Sequence, residues 1–404
     1  MRPSHLHQTF GVASYLNQPE FIEFYSETGS LLSSYTNGSG WYGVDMARHI
    51  ESPAAGRVDS FGIHVADDGS GATVLGFASA SASAAPVWST LLSGCSLDGG
   101  GGTYVGFEAS DSGARVAVQC YQNATAGVVA LDGQTGAVLW HYVLGKGVKA
   151  GQGQVQITGD GAWVLLVNEQ GVPTPNSATA YVINGATGVL RGAVPIPFFI
   201  TAAISDSGNY LAVGDNGLVH LYEWDAASSK YAPSQAAPVI TPPGSFLPWD
   251  LQMSTGPDAG EFLILGCISY DVMTVQVTAW GVMNGTLIHT WQSATNTDKL
   301  QENPSLRADG AYIGVSLWGD SGNTPTVVLL RVGTPAPVFH FTSPGSMFAV
   351  DLALDKSGPS GDTVLLTASG KAVPANEFGN GGDAYGWEIT VPASGAAPTA
   401  RRAL

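Results

Sequence analysis

Carboxylates, amides and one imidazole recur at one place in a repeated segment of this chain. Aligned on the turn that follows, Gly62, Gly106, Gln154, Thr201, Asp250, Asn303 and Asp351 fall at equivalent positions, and His64, Glu108, Gln156, Gln252 and Ser305 fall two residues later. Side chains two apart on a strand share a face, so both sets line one surface if these segments are strands around a common opening. Carboxylate and amide oxygens are the ligands of hard cations, and they hydrogen-bond polar organic ligands equally well. The candidate site is therefore a rim of His64, Glu108, Gln154, Asp250, Asn303 and Asp351 that takes a polar ligand or a cation, calcium being the metal those donors admit. The plainer reading of the same residues is a water-filled polar tunnel. The spacing calls for no organic cofactor.

The elements that must position this rim are short strands. Tyr104–Tyr142 reads as four of them joined by three tight turns, with Val, Leu, Tyr and Trp in the strands and Gly at the turns. The turn before the second strand recurs at Gly69, Gly113, Gly161, Gly208, Gly260, Gly310 and Gly361, 44 to 52 residues apart. The strands that follow are TVLGFA, RVAVQC, WVLLVN, YLAVGD, FLILGC, YIGVSL and TVLLTA, and TFGVASY at Thr9–Tyr15 is an eighth of the kind. A four-stranded antiparallel sheet cannot bury both faces alone, whereas several arranged radially can. The expected fold is all-β, a β-propeller of four-stranded antiparallel blades over residues 1–404 as a single domain. Eight blades are expected, the first lacking its inner strand because the chain starts inside it. The alternative is seven blades, the last closed by the N-terminal segment.

The chain has 404 residues, 44% hydrophobic and 12% charged, with 32 Asp and Glu against 15 Lys and Arg for a net charge of −17. Such a surface repels phosphate backbones and anionic lipid, so nucleic acid is not an expected partner. No apolar run reaches the length of a membrane span, and MRPSHLHQTF has no apolar core of a signal peptide. A protein or carbohydrate ligand suits the surface, and the sequence leaves the oligomeric state open. Cys95, Cys120 and Cys267 have neither metal nor redox spacing; a Cys95–Cys120 disulfide is one option. Asn37-Gly-Ser, Asn123-Ala-Thr and Asn284-Gly-Thr are N-glycosylation sequons in expected turns. Trp88, Trp140 and Trp291 fall on fourth strands, where packing between blades is their expected task, and Trp41 and Trp318 are candidates for stacking on a sugar. Gly319-Asp-Ser-Gly322 is similar to a serine-protease nucleophile loop but has no matching His and Asp context.

The string ALDGQTGAVLW at Ala130–Trp140 resembles the PQQ-like propeller repeat, and SETGSLL at Ser26–Leu32 and NGATGVL at Asn184–Leu190 are similar. ISDSGNYLAVGD at Ile204–Asp215 resembles the WD40 and YVTN repeats. The resemblance covers nearly the whole chain and implies the propeller fold. Quinoprotein dehydrogenases of that fold use a vicinal cysteine pair, a calcium site and a catalytic Asp, and no Cys-Cys dipeptide occurs here. The Gly-His of WD40 repeats is also missing, although Trp224-Asp225 matches their Trp-Asp. The function expected on these grounds is a non-enzymatic binding or scaffold propeller of the secretory pathway or extracellular space. The other readings are a quinoprotein-like or lactonase-like enzyme and an intracellular WD40-like interaction module.

Overall fold

The tight turn between third and fourth strands shows how local sequence writes the architecture. In Asp132–Gly136 the Asp132 Oδ1 accepts from the Gln134 and Thr135 amides (3.0 and 2.9 Å) and from Thr135 Oγ1 (2.9 Å). Asn184 repeats these bonds with Ala186 and Thr187. An Asp or Asn side chain that mimics a backbone turn, followed by Thr and Gly, fixes the reversal without outside help. Gly136 and Gly188 both sit at φ +70°, which a side chain rarely adopts.

The computed structural model describes residues 9–13, 22–26, 30–36, 40–46, 57–66, 71–78, 85–95, 106–122, 125–144, 154–170, 177–196, 201–215, 217–244, 246–256, 260–269, 274–293, 304–317, 325–358, 361–371, 382–393 and 397–402. Among them there is no helix, and all sheets are antiparallel. Eight sheets follow one another along the chain. The first has three strands, Thr9–Ala13, Ile22–Ser26 and Leu31–Tyr35. The other seven have four strands in chain order, and in the fifth a short extra strand, Val239–Ile240, also pairs with the third strand. The first strands of successive four-stranded sheets pack beside one another, so they form the inner side of a radial arrangement. This is the β-propeller expected from the repeat.

Each of the seven junctions between consecutive sheets has its own apolar core. Ile22 and Phe24 of the first sheet meet Leu75 and Phe77 of the second; Leu306, Ile313 and Val315 of the seventh meet Ile264, Val275 and Val277 of the sixth. Alternating strand residues supply both faces of a sheet to these cores. Tryptophans on outermost strands add a polar catch. Trp88 Nε1 donates to the Gly133 carbonyl (3.0 Å) and Trp140 Nε1 to that of Gly185 (2.8 Å), in each case in the turn of the next sheet. A Cβ at Gly188 would stand 2.8 Å from the Trp140 ring. The fourth sheet carries Arg191 on its outermost strand, and its guanidinium lies between the Trp163 and Trp224 rings at 4.2 and 4.4 Å and donates to Gly208 O (2.6 Å).

One element departs from the sequence reading. Gly62 and His64 are expected on an inner strand, with TVLGFA as the second. The structure instead makes Gly40–Met46 the inner strand, Ser60–Ala66 the second, Gly71–Phe77 the third and Trp88–Ser93 the outermost. The hairpin of Ser60–Ala66 with Gly71–Phe77 therefore joins second to third strand, and Gly69 lies outside the described residues. The reason is chemical: Gly40–Met46 is GWYGVDM, whose two glycines and single aliphatic break the strand pattern, and thirteen residues separate it from its partner. The first sheet has three strands among the described residues. Cys95 and Cys120 form a disulfide between the second and third sheets, and Cys267 is free and buried.

Candidate functional site

The inner strands Phe107–Ala109, Gln154–Ile157, Leu247–Gly256, Pro304–Asp309 and Met347–Gly358 bring most of the expected rim to the centre. Their polar side chains do not simply hang into the opening. Glu108 Oε2 accepts from the Ile157 amide (2.9 Å), Gln156 Oε1 from Ile204 (3.3 Å), Asp250 Oδ2 from Leu306 (2.8 Å) and Asp309 Oδ2 from Leu354 (2.8 Å). In each case a side chain on one inner strand holds the backbone of the next. The three accepted by carboxylates are charge-assisted, and bonds of that kind are about twice as strong as neutral ones such as that to Gln156.

Glu108 and Asp351 also meet a common cation. Arg307 Nη1 donates to Glu108 Oε1 (2.8 Å), and Arg307 Nε lies 3.3 Å from Asp351 Oδ1. The Arg307 and Glu108 side chains are only 15% and 14% exposed, so water screens the pair weakly. Asp250 is partly buried at a bulge next to Trp249. Burial pushes its carboxyl up to about 6, against the opposing effect of the Leu306 and Leu251 amides, Arg307 and Gln252.

The remaining expected residues are placed as follows. Gln154 is on an inner strand, paired with Val167. His64 is buried on the second strand of its sheet, opposite Tyr42 and Thr73, one strand away from the opening; the expectation that it lines the rim is corrected. Asn303, Asn37, Asn123, Trp318 and the Gly319–Gly322 segment lie outside the described residues. Asn284 is exposed in a turn, its Oδ1 accepting from Thr286 N and Oγ1 (3.1 and 2.7 Å).

Above the Arg307–Glu108 pair, on the face that carries the turns between first and second strands, opens a cavity of about 400 Å³. Its wall holds Asp111, Asp160, Asp206 and Asp309 with Glu108, the amides of Gln156 and Gln252, and Arg307. The four aspartates are not in the expected rim. Their signal was in the turns themselves: each stands one or two residues before a turn glycine, at Gly113, Gly161, Gly208 and Gly310. Among the described residues, no group of three or more His, Cys, Asp or Glu side chains is placed to hold a metal ion. The acidic groups ring the mouth and do not converge on a point. No helix among the described residues is long and apolar enough to cross a membrane.

No protein-family model matches the chain, and no curated protein is significantly similar to it in sequence. Its fold is similar to solved structures. One is the Dos1 propeller, at TM-score 0.53 and 12% identity over 89% of this chain and 86% of that one. Another is the dihydro-heme d1 dehydrogenase NirN in complex with DHE, at TM-score 0.54 and 12% identity over 99% of this chain and 75% of that one. BamB from Moraxella catarrhalis aligns at TM-score 0.40 and 15% identity over 82% of this chain and 96% of that one. At these identities the likeness concerns the fold, a β-propeller, which hosts both scaffolds and enzymes.

Proposed function

We propose that the protein is a non-enzymatic binding propeller of the extracellular space or secretory pathway whose acidic mouth receives a positively charged segment of a protein ligand. The observation that carries the reading is the cavity of about 400 Å³ walled by five carboxylates and two amides. A cleft lined by one sign of charge focuses the field and concentrates counter-charged ligands. Its acidic groups are spread around the wall, which suits several separated ammonium or guanidinium groups better than one compact ion. The buried Cys95–Cys120 disulfide and the exposed Asn284 sequon support an oxidising compartment. We read the eight sheets as eight blades, and the contacts of Trp88 and Trp140 with neighbouring turns favour the PQQ-like repeat type.

The test is fluorescence anisotropy with a labelled oligolysine peptide, an oligoglutamate peptide as control. Oligolysine is expected to bind, more weakly as salt rises, and to lose affinity in Asp111→Asn and Asp206→Asn. Equal binding of both peptides, or no effect of the two substitutions, refutes the reading. Calcium is titrated in parallel; absence of heat and of a thermal shift ends the metal alternative. Mass spectrometry of the protein from its native source checks the compartment through glycan on Asn284 or Asn123.

A further inference from the structure

Charge is distributed unevenly between the centre and the outer wall. The eight outermost strands are LLSSY, WSTLLS, VLWHYV, LRGAVPI, KYAP, LIHTWQ, FHF and TARR. None of the chain's 32 acidic residues lies on them. The outer edges of these strands have no strand partner among the described residues. Over the first four sheets they are also apolar and open: Leu32, Leu91, Leu139, Val143, Val189 and Leu190, the one just before a strand and the others on it, are 39% to 64% exposed. Arg191 is the one Lys or Arg on these four strands, and it is engaged by the Trp163 and Trp224 rings and the Gly208 carbonyl. An unpaired strand edge with apolar side chains is a template for another strand.

We propose that the outer wall of the first four sheets is the surface through which two copies of this chain associate, edge to edge, with Val138–Val143 at the centre. Two arguments select a second copy as the occupant. At a net charge of −17, two copies repel wherever carboxylates face each other, and this wall is where the outermost strands present none. A strand paired antiparallel with its own copy about a two-fold axis is self-complementary, and the contact closes as a dimer. On Val138–Val143 the exposure alternates so that Leu139, His141 and Val143 are presented outward, while Trp140 is engaged with the next sheet.

The test is sedimentation velocity on the full chain from about 1 to about 50 µM, at about 0.15 and 0.5 M salt, where screening lengths are under about 10 Å. A dimer is expected that tightens at the higher salt, because repulsion between the copies is screened. The double variant Leu139→Lys with Val143→Lys places like charges across the axis and is expected to weaken the dimer about tenfold or more, with an unchanged melting temperature. Ile288→Lys on the sixth sheet leaves the dimer intact. Should the double variant melt early, His141→Glu tests the same edge by one exposed substitution. A wild-type chain that stays monomeric at both salts overturns the proposal, including one that instead floats with lipid vesicles. So does a dimer that survives the edge substitutions in folded protein.

Discussion

Arg307 and Glu108 lie 199 residues apart in sequence and meet at 2.8 Å across the centre of the molecule. They belong to the seventh and third sheets, which do not adjoin in sequence, so the pair ties opposite parts of the structure. Removing the guanidinium leaves Glu108 and Asp351 facing each other without a cation. We expect Arg307→Met to lower stability by about 1–3 kcal/mol, less than the cost of breaking a fully buried pair. Glu108→Gln in the same background should then cost much less than it does alone. A double-mutant cycle by urea denaturation measures this, and additive effects would show that the two side chains are not coupled.

Asp250 gives a pH signature. Its carboxyl is raised from 3.8 in the unfolded chain to about 6 in the fold. A raised carboxyl binds its proton more tightly when folded. Its contribution to stability is full below about 3.8 and is lost as pH rises through about 6. Asp250→Asn stays neutral and keeps an oxygen for the Leu306 amide, so it should be more stable than wild type at pH 7.5. The shift corresponds to about 3 kcal/mol at most, and partial exposure reduces it to about 1–2 kcal/mol. The gap should close as pH falls to about 4. Urea midpoints at three pH values test it; a gap independent of pH contradicts the assignment.

The Trp140 catch predicts an asymmetric pair of mutants. Gly188→Ala adds a methyl 2.8 Å from the indole at a positive φ, and the rigid ring cannot give way without losing its bond to Gly185. Trp140→Phe keeps the packing and loses the hydrogen bond. The first should cost about 2 kcal/mol or more, the second about 1 kcal/mol. Thermal denaturation with a near-ultraviolet signal distinguishes them, and equal effects would count against the close approach.

The disulfide predicts that Cys95→Ser with Cys120→Ser lowers stability by about 2–4 kcal/mol, since both cysteines are buried at the junction of two sheets. Alkylation of the unfolded, unreduced protein should label Cys267 alone. Labelling of three cysteines would contradict the bridge.

Much of this fold was legible because its turns are chemically explicit. Asp132 through Gly136 and Asn184 through Gly188 declare a reversal by residue type alone. Gly40–Met46 was not legible, since what makes it a strand is pairing with Ser60–Ala66 and packing at the centre, neither encoded in its own seven residues. That displaced His64 by one strand. At the site, the positions of Glu108, Asp250 and Asp351 followed from strand alternation. Arg307 did not, because nothing in its neighbourhood announces a partner 199 residues away. The aspartates of the mouth stand beside turn glycines, and a turn residue by itself does not announce that it borders a cavity.

The bonds between inner strands bear on how such a chain can change over time. Each asks for a particular side chain on one strand and only a peptide N–H on the next, supplied here by Ile157, Ile204, Leu306 and Leu354. A clasp with one specified member leaves the other free to drift among apolar residues. Sheets joined in this way can lose resemblance to their relatives residue by residue while the ring keeps its geometry.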